Sequence, residues 1–275
     1  MRILVTNDDG VAAPGLAVLA AAAVRRGHEV VVAAPLSDHS GASASLVFDL
    51  ARGVPVRRCR LGGAGLDGAG LEGVEAFGVD GSPALAVLLA RSGVFGPRPS
   101  MVLSGVNAGA NTGRGVLHSG TVGAALTAAT MGMSGLAVSL AAADPVHWDT
   151  AGLAAGVAID ALASARARTV LNVNVPDIPA AAVRGVRWGR LAAFGPTRLS
   201  VGMAGEDHVE LAEQPGTLPL DPETDAGLVA AGYVSVTPLQ GVTAIDDRGD
   251  ADLAASMHGP LRDALAPHGT PAGAR

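Results

Sequence analysis

Short apolar runs alternate with longer apolar or amphipathic stretches along the chain up to Pro176. Short runs are typical of buried strands, and longer stretches that begin at Ser or Pro are typical of helices. The pattern predicts strands over Arg2–Thr6, Glu29–Ala34, Ser100–Leu103, Gly135–Leu140 and Thr169–Val175. It predicts helices over Pro14–Arg26, Ser82–Ser92, Ser119–Gly132 and Thr150–Ala165. Because the two alternate, we expect an α/β fold: a Rossmann-like, doubly wound, mainly parallel sheet with helices on both faces.

A weaker strand pattern covers Leu46–Leu61, and the glycine-rich stretch Gly62–Gly73 predicts an exposed or mobile loop. Beyond Pro176 the pattern changes. It predicts a β-rich stretch over Val186–Leu211 with a hairpin or arm, a Pro- and acid-rich loop over Glu213–Thr224, a strand over Tyr233–Thr237 and a helix over Asp252–Leu265. We therefore expect a Rossmann-like core over residues 1–185, an extension of the same domain over 186–265 that makes oligomer contacts, and a disordered tail over 266–275.

Composition excludes several classes of protein. Of the 275 residues 49% are hydrophobic but only 3% aromatic, so the core must be built from Ala, Val and Leu. A net charge of −6 without a basic cluster argues against a nucleic-acid polymer as partner. The absence of Lys excludes a P-loop, and a single cysteine, Cys59, excludes an internal disulfide. The apolar stretch Gly15–Val24 is too short to span a bilayer, so we expect a cytoplasmic protein without membrane contact.

The sequence Asn7-Asp8-Asp9-Gly10 follows the first predicted strand directly. Two adjacent carboxylates at the end of a buried strand are costly unless something neutralises them, and a bound cation does so. Ideal strand geometry points Asp8 and Asp9 to opposite faces, so both reach one ion only if the backbone bends, which Gly10 permits. The alternative is a solvated turn in which one Asp caps the following helix.

Three more loops bring polar side chains to the same edge, because loops leave a parallel sheet at the carboxyl ends of its strands. The first carries Ser37, Asp38, His39, Ser40 and Ser43; the second carries Asn107 and Asn111 and leads to His118-Ser119-Gly120-Thr121; the third carries Asn172 and Asn174. Most are hard oxygen donors, which suit Mg²⁺, Mn²⁺ or Ca²⁺, while His39 and His118 keep zinc open. Taken singly, His39, Asn172 and Asn174 have simpler structural interpretations.

The predicted helix start at Ser119 offers free backbone N–H groups and a positive dipole end, which suit a phosphate. The glycines around Asn107 and Asn111 would let a phosphate approach the backbone, although they are also ordinary turn formers. A divalent metal beside an anion pocket serves phosphoryl transfer to water. The chain lacks a Gly-x-Ser-x-Gly nucleophile elbow, an Asp-x-Asp pattern of the haloacid-dehalogenase type and a Gly-x-Gly-x-x-Gly motif after the first strand.

Seven sequence blocks carry a family resemblance. They are Arg2–Gly10 with Ala13-Pro14-Gly15, Ser40–Ser43, Ser104–Gly113, His118–Val122, Ala137–Ser139, Asn172–Pro176 and Gly232–Leu239. In their content and order the chain resembles the survival-protein-E (SurE) family of 5′/3′-nucleotidases, and the first and third blocks together are highly specific.

The resemblance implies a site for one divalent cation per subunit, Mg²⁺ or Mn²⁺, with Ca²⁺ an alternative in a crystal. The implied cation ligands are Asp8, Asp9, Ser40 and Asn107. The implied phosphate-binding residues are Asn111, Ser119, Gly120 and Thr121. The implied activity is hydrolysis of nucleoside 5′-monophosphates, with 3′-monophosphates and short polyphosphate as further substrates. The implied assembly is a homodimer or tetramer whose C-terminal regions are exchanged between subunits.

We expect Asp8 and Asp9 to be the catalytic residues. One of them would orient or deprotonate the attacking water, and direct attack by Asp8 is the less favoured alternative. His118 or a water would protonate the leaving alkoxide.

The chain departs from the family pattern at two positions. Leu85 ends Gly81-Ser-Pro-Ala-Leu85, where the family usually has Gly-Thr-Pro-x-Asp/Cys, and Thr127 stands where a Glu usually follows the Ser-Gly-Thr helix start. Both bear on substrate preference more than on metal binding. They keep open a non-catalytic nucleotide- or phosphate-binding homologue. A polyphosphatase and a phosphatase of a specialised metabolite are further alternatives.

Overall fold

The computed structural model describes residues 1–61, 70–194, 197–203, 209–215 and 219–243. Its strands are β1 (Arg2–Thr6), β2 (Glu29–Pro35), β3 (Val56–Cys59), β4 (Glu75–Val79), β5 (Met101–Ala108), β6 (Ser134–Leu140), β7 (Val170–Val175), β8 (Val186–Trp188), β9 (Thr197–Met203), β10 (Val209–Pro215) and β11 (Val234–Leu239). Its helices are α1 (Pro14–Arg25), α2 (Pro83–Arg91), α3 (Gly120–Thr130), α4 (Trp148–Ala163) and α5 (Asp225–Ala230), with 3₁₀ turns at Gly113–His118 and Ala180–Ala182. Every strand and helix predicted up to Pro176 from the regular pattern is present; β1 has the predicted ends, and the others differ from prediction at one or both ends.

The described strands form a nine-stranded sheet and a separate hairpin of β9 and β10. The order across the large sheet is β3-β4-β2-β1-β5-β6-β7-β11-β8. Pairing is parallel from β4 to β7 and antiparallel where β3 meets β4 and where β11 meets β7. The predicted doubly wound, mainly parallel sheet is therefore confirmed.

Alternate side chains of β1 enter two different cores. Ile3 and Val5 pack in a cluster with α1 and α4, whereas Leu4 packs in a cluster with α2 and α3. Since side chains of a strand alternate between faces, a strand that is apolar throughout must be covered on both sides. Helices therefore lie on both faces, as predicted. Small residues let them approach closely: a Cβ on Gly15 of α1 would lie 1.9 Å from the Val106 carbonyl oxygen.

Strand β5 is longer than the sequence predicts. We expected it to end at Leu103 and to be followed by a loop, but it continues to Ala108. Its register with β6 shifts between Ser104 and Asn107, and pairing resumes with Asn107 opposite Ser139. The glycines in this stretch hid the strand because Gly is depleted in strands. A shift of this kind re-aims the residues that follow it, which here include Asn107.

Other predictions in the irregular parts of the chain were wrong in extent. The β pattern over Leu46–Leu61 yields only the 4 residues of β3, and β4 was not predicted because its 5 residues follow a glycine-rich stretch. Strand β10 continues to Pro215, inside the loop predicted over Glu213–Thr224. Helix α5 was not predicted because 6 residues are too few to show a helical period.

Two compact units divide the chain, Met1–Gly241 and Val242–Arg275. Nearly all of the second unit lies outside the described residues, including the helix predicted over Asp252–Leu265 and the tail over 266–275, as does most of the loop predicted over Gly62–Gly73. The division into a core over 1–185 and an oligomer-forming extension over 186–265 stays a prediction. Within the described residues, no helix combines the length and apolarity needed to cross a membrane.

Asp225, the first residue of α5, is a carboxylate with 0% exposure. Its Oδ2 accepts the N–H of Gly113 at 2.8 Å, and its Oδ1 accepts those of Ala192 at 2.9 Å and Ala226 at 2.8 Å. A buried charge is tolerated when it is hydrogen-bonded in this way. Asp225 therefore ties α5 to the 3₁₀ turn that leads into α3.

Replacing Asp225 by Ala leaves three N–H groups without their acceptor. We expect Asp225→Ala to lower the free energy of unfolding by about 3 kcal/mol or more, because each lost bond involved an ionised acceptor. Urea denaturation followed by circular dichroism measures this loss. Asp144→Ala, at an exposed turn residue, serves as the control and should change stability by less than about 0.5 kcal/mol. Equal stability of the two variants would contradict this role for Asp225.

Candidate functional site

The candidate site lies where β1 and β5 pair in the centre of the sheet. The chain leaves β1 towards α1 on one face and leaves β5 towards α3 on the other. In doubly wound sheets the loops diverge at such a point and open a crevice outside the carboxyl ends of the strands. Asp8 and Asp9 follow β1 here, and Asn107 lies at the end of β5.

Asp8 is buried, with 3% exposure, against the start of α3. Its Oδ1 accepts the Thr121 hydroxyl, and the backbone N–H of Thr121 also bonds to the carboxylate. Burial raises the pKa of the Asp8 carboxyl, and the bonds from Thr121 oppose that shift. Gly120 makes the approach possible, because a Cβ at that residue would lie 2.8 Å from both Cβ and Oδ2 of Asp8.

Asp9 is more open than its neighbour and carries a strongly shifted pKa. Burial, followed by the charges of Asp8 and Asp38, raises the pKa of Asp9 to about 7, while the N–H of Ala108 stabilises its carboxylate. The charges also show that Asp38 lies near the pair. The two carboxylates are therefore desolvated and mutually repulsive, which is the electrostatic situation that a cation relieves.

The loop after β2 reaches the same place. The His39 N–H donates to the Asp8 carbonyl oxygen at 2.8 Å. The backbone N–H and the hydroxyl of Ser40 both donate to Asp38 Oδ1 at 2.7 Å, and these bonds hold the pKa of Asp38 below its usual value. Since the Ser40 hydroxyl gives its proton to Asp38, its oxygen lone pairs are left to bind a cation.

Asn107 presents its side-chain oxygen in a similar way. Its Nδ2 donates to the carbonyl oxygens of Ala108 at 3.2 Å and Gly109 at 2.8 Å. Because the amide nitrogen is engaged with backbone carbonyls, Oδ1 is the atom available to a cation.

Two asparagines of strand β7 form hydrogen bonds with the backbone of the loop residue Asn111. Its backbone N–H donates to Asn174 Oδ1 at 2.8 Å, and its carbonyl oxygen accepts from Asn172 and Asn174. We expected Asn172 and Asn174 at this edge of the sheet. Their bonds to the Asn111 backbone agree with the simpler interpretation, in which they satisfy backbone groups at a strand end.

The remaining predicted residues lie at the start of α3. The Ser119 hydroxyl caps the helix by accepting the Val122 N–H at 3.1 Å, and Gly120 and Thr121 form the first turn. His118 is exposed at the rim, where its carbonyl oxygen accepts the Ser43 N–H at 3.2 Å. The predicted residues thus lie along one edge of the sheet, and Thr121 contacts Asp8, a partner that the sequence did not indicate.

The donor set fits a hard divalent cation. Two carboxylates, a hydroxyl and an amide oxygen come from the ends of β1 and β5 and from the loop after β2. The buried Asn7 Oδ1 beside them has no hydrogen-bond partner in the described part of the chain. Across the described ranges, no three His, Cys, Asp or Glu side chains group closely enough to hold a metal. A cation here would therefore depend on Ser40 and Asn107 as well as on Asp8 and Asp9.

Three residues that contribute to the site were not predicted to do so. Asp38 was noted in its loop, but nothing in the sequence showed that it bonds Ser40. Ser139 accepts the Asn111 Nδ2 at 2.8 Å, and Asp225 holds Gly113. Only the position of Ser139 near a strand end gave a signal for it.

The two departures from the family pattern occupy helix interiors. Leu85 is buried in α2, where its side chain packs beside Gly81. The Thr127 hydroxyl donates to the Gly123 carbonyl oxygen, one turn earlier in α3, at 2.7 Å. Gly123 in turn faces the Ser43 backbone, since a Cβ there would lie 2.3 Å from the Ser43 carbonyl oxygen.

Fold and site together define a Rossmann-like α/β protein whose acidic, hydroxyl- and amide-lined site lies at the topological switch point. The family profile described as Survival protein SurE matches residues 3–195. The chain belongs to this family.

Two curated proteins and one solved structure are similar to this chain over most of its length. A protein from Xanthomonas campestris pv. campestris (strain B100), named 5′-nucleotidase SurE, is 38% identical over 254 residues, 87% of this chain and 89% of its own. One from Edwardsiella ictaluri (strain 93-146), named 5′/3′-nucleotidase SurE, is 38% identical over 245 residues, 87% of this chain and 90% of its own. The crystal structure of the SurE protein from Aquifex aeolicus matches with a TM-score of 0.73 and 25% identity, covering 94% of this chain and all of that one.

The desolvated acid pair predicts an unusual dependence of stability on pH in the presence of a chelator. Folded Asp9 holds its proton up to about pH 7, whereas the ordinary pKa is 3.8. The free energy of unfolding should therefore fall as the pH rises from about 4 to about 7. The expected fall is roughly 1–3 kcal/mol, less than the full pKa shift implies, because solvent partly screens Asp9. Urea denaturation at several pH values measures the slope.

Asp9→Asn is the matched variant for this measurement, because it keeps the shape but cannot ionise. Its slope between pH 4 and 7 should be clearly smaller than that of the natural chain, though not zero, since Asp8 also has a raised pKa. Identical slopes would show that Asp9 is not the group that titrates.

Proposed function

We propose that the chain is a metal-dependent phosphomonoesterase that hydrolyses nucleoside 5′-monophosphates, and also 3′-monophosphates, to nucleoside and phosphate. The observation that carries this proposal is the buried carboxylate pair in contact with the first turn of α3. It puts a cation site directly beside a helix N-terminus, which attracts anions. The family membership and the names of the two relatives support nucleoside monophosphates as the substrate class.

The residues proposed to hold the cation, Mg²⁺ or Mn²⁺, are oxygen donors that follow β1, follow β2 or end β5. They are Asp8, Asp9, Ser40 and Asn107. When bound, the cation would polarise the phosphoryl oxygens and lower the pKa of a nearby water.

Asp9 is the residue that we propose to orient and deprotonate the attacking water. Asp8 is 3% exposed and its Oδ1 is already bonded to Thr121, whereas Asp9 is partly exposed. A base must reach the water that it activates, and of the two carboxylates Asp9 is the more accessible. The direct attack by Asp8 weighed from the sequence is disfavoured for the same reason.

The substrate phosphate is proposed to lie between Asn111 and the start of α3. The N–H groups of Thr121 and Val122 are bonded to Asp8 and to the Ser119 hydroxyl, so the phosphate is proposed to meet this turn at Gly120, which carries no side chain. Ser119 completes this turn as its cap. The Thr121 hydroxyl is held by Asp8, so we assign Thr121 a shared role, anchoring the carboxylate while it borders the phosphate. His118, exposed at the rim, or a water supplies the proton for the leaving alkoxide.

A homodimer or tetramer and a cytoplasmic location complete the proposal. One observation supports association between subunits: an apolar groove of about 400 Å³ lies beside α4 and the sheet edge at β8, and it includes the exposed Leu153, Val157 and Trp188. Exposed apolar patches of this kind are typical of interaction surfaces. The location in the cell rests on the sequence prediction alone.

A panel of phosphate esters with added Mn²⁺ or Mg²⁺ tests the proposed activity. We expect release of phosphate from nucleoside 5′-monophosphates that is abolished by a chelator. Asp8→Asn should lower kcat/KM at least about 100-fold, because it removes charge that holds the cation. Glu72→Gln, which changes an exposed carboxylate before the amino end of β4, at the opposite edge of the sheet, should retain activity.

The other outcomes of the panel either contradict the mechanism or indicate a different function. Full activity in a folded Asp8→Asn variant, or activity that a chelator does not affect, would contradict the mechanism. Preference for polyphosphate or for another phosphate ester would indicate a polyphosphatase or a phosphatase of a specialised metabolite. Binding of nucleotide without hydrolysis would indicate a non-catalytic homologue.

Gly120 and Gly115 offer a matched pair of substitutions near this site. A Cβ at residue 120 would collide with Asp8, whereas a Cβ at residue 115 meets nothing within 4 Å. We expect Gly120→Ala to lower kcat/KM by about 100-fold, because it displaces a carboxylate by a fraction of an ångström or more. Gly115→Ala should leave activity unchanged. Equal rates of phosphate release by the two variants would rule out close packing of α3 on Asp8 as a requirement.

A further inference from the structure

A row of polar residues crosses the sheet beside the site. Asn107 on β5 lies opposite Ser139 on β6, Ser139 lies opposite Asn174 on β7, and Asn174 lies opposite Ser235 on β11. Ser139, Asn174 and Ser235 are all 0% exposed. Polar side chains at the centre of a sheet are unfavourable unless their hydrogen bonds are made. The row therefore needs an explanation in terms of what its members bond.

Most of the bonds from this row go to Asn111. Asn174 makes a two-way pair with its backbone, accepting the Asn111 N–H at 2.8 Å and donating to the Asn111 carbonyl oxygen at 2.9 Å. Asn172, two residues earlier on the same face of β7, donates to that same carbonyl at 2.8 Å. Ser139 accepts the Asn111 Nδ2 at 2.8 Å.

These four bonds fix both the backbone and the side chain of one loop residue. The opposite face of β7 is ordinary core, since Leu171, Val173 and Val175 pack in an apolar cluster. An apolar residue at 172 or 174 would serve a merely structural strand equally well. Asp225 holds Gly113, two residues beyond Asn111, so the loop is anchored at a second point.

We propose that Asn174, with Asn172 and Ser139, is a positioning residue that holds Asn111 in the orientation needed to bind the substrate phosphate. The inference rests on the proposed function, because it takes Asn111 as a phosphate-binding residue. Asn174 does not touch the phosphate and acts through Asn111. Its two-way pair with the loop backbone does what a neighbouring strand would do, at a place where the chain has left the sheet.

Binding of inorganic phosphate to the full chain in the presence of Mn²⁺, followed by calorimetry, tests this role without requiring turnover. Asn174→Ala should weaken phosphate binding by about 10- to 100-fold, because a small displacement of a positioned group has effects of this size. Its affinity for Mn²⁺ alone should not change. Ser235→Ala, the matched control in the same polar row, should bind phosphate as the natural chain does.

Ser139→Ala is the second variant, because it removes only a hydroxyl and is the safer substitution if Asn174→Ala fails to fold. It should weaken phosphate binding while the fold and the Mn²⁺ affinity stay unchanged. A double-mutant cycle with Asn111→Ala completes the test: combined with either variant, Asn111→Ala should show no further loss, because the positioning residue acts only through Asn111.

Three results would overturn the inference: no phosphate binding by the natural chain, unchanged binding in a folded Asn174→Ala or Ser139→Ala variant, or additive losses in the cycle. Weakened phosphate binding in these variants supports it even if no ester is hydrolysed, and that result would contradict only the proposed activity. Where hydrolysis occurs, kcat/KM should fall in parallel with phosphate affinity.

Discussion

The contact between the Asp8 carboxylate and the first turn of α3 is the interaction on which the site depends. Asp8 is buried at the end of β1, and the hydroxyl and backbone N–H of Thr121 both bond to it. Glycine at residue 120 lets the helix come this close. Because β1 and α3 belong to opposite sides of the switch point, one contact sets the position of the carboxylates and of the helix N–H groups together.

Burial of the acid pair also explains the polar character of the surrounding edge. Desolvation raises the pKa of both carboxyls, and Asp38 adds a third negative charge nearby. An apolar edge would desolvate the carboxylates further, whereas the hydroxyl of Ser40 and the amide oxygen of Asn107 are donors that suit a bound cation. The polar residues across the sheet from Asn107 are also hydrogen-bonded, since the buried amides of Asn172 and Asn174 bond to the backbone of the loop at Asn111.

The sequence predicted the regular half of the fold and named the candidate site residues, but it indicated few of their contacts. The pattern of β1 is unmistakable because every residue of it is packed, and Asp8, Asp9 and Asn107 follow from where strands end. The part of β5 beyond Leu103 was not predicted, because glycine is rare in strands and because the register shift with β6 leaves no pattern in the sequence. Hydrogen-bond partners far apart in the chain, such as Asp225 and Gly113, leave no local pattern at all.

The two adjacent carboxylates differ in what the fold lets them do. Asp8 lies against α3, where the hydroxyl and backbone N–H of Thr121 bond to its carboxylate, whereas Asp9 is partly exposed and accepts the Ala108 N–H. A residue that is locked can bind an ion but cannot follow a moving proton, while a partly exposed one can do both. In the proposed mechanism Asp8 is therefore the anchor and Asp9 the reacting group, and the close packing of Gly120 in α3 against Asp8 underlies this difference.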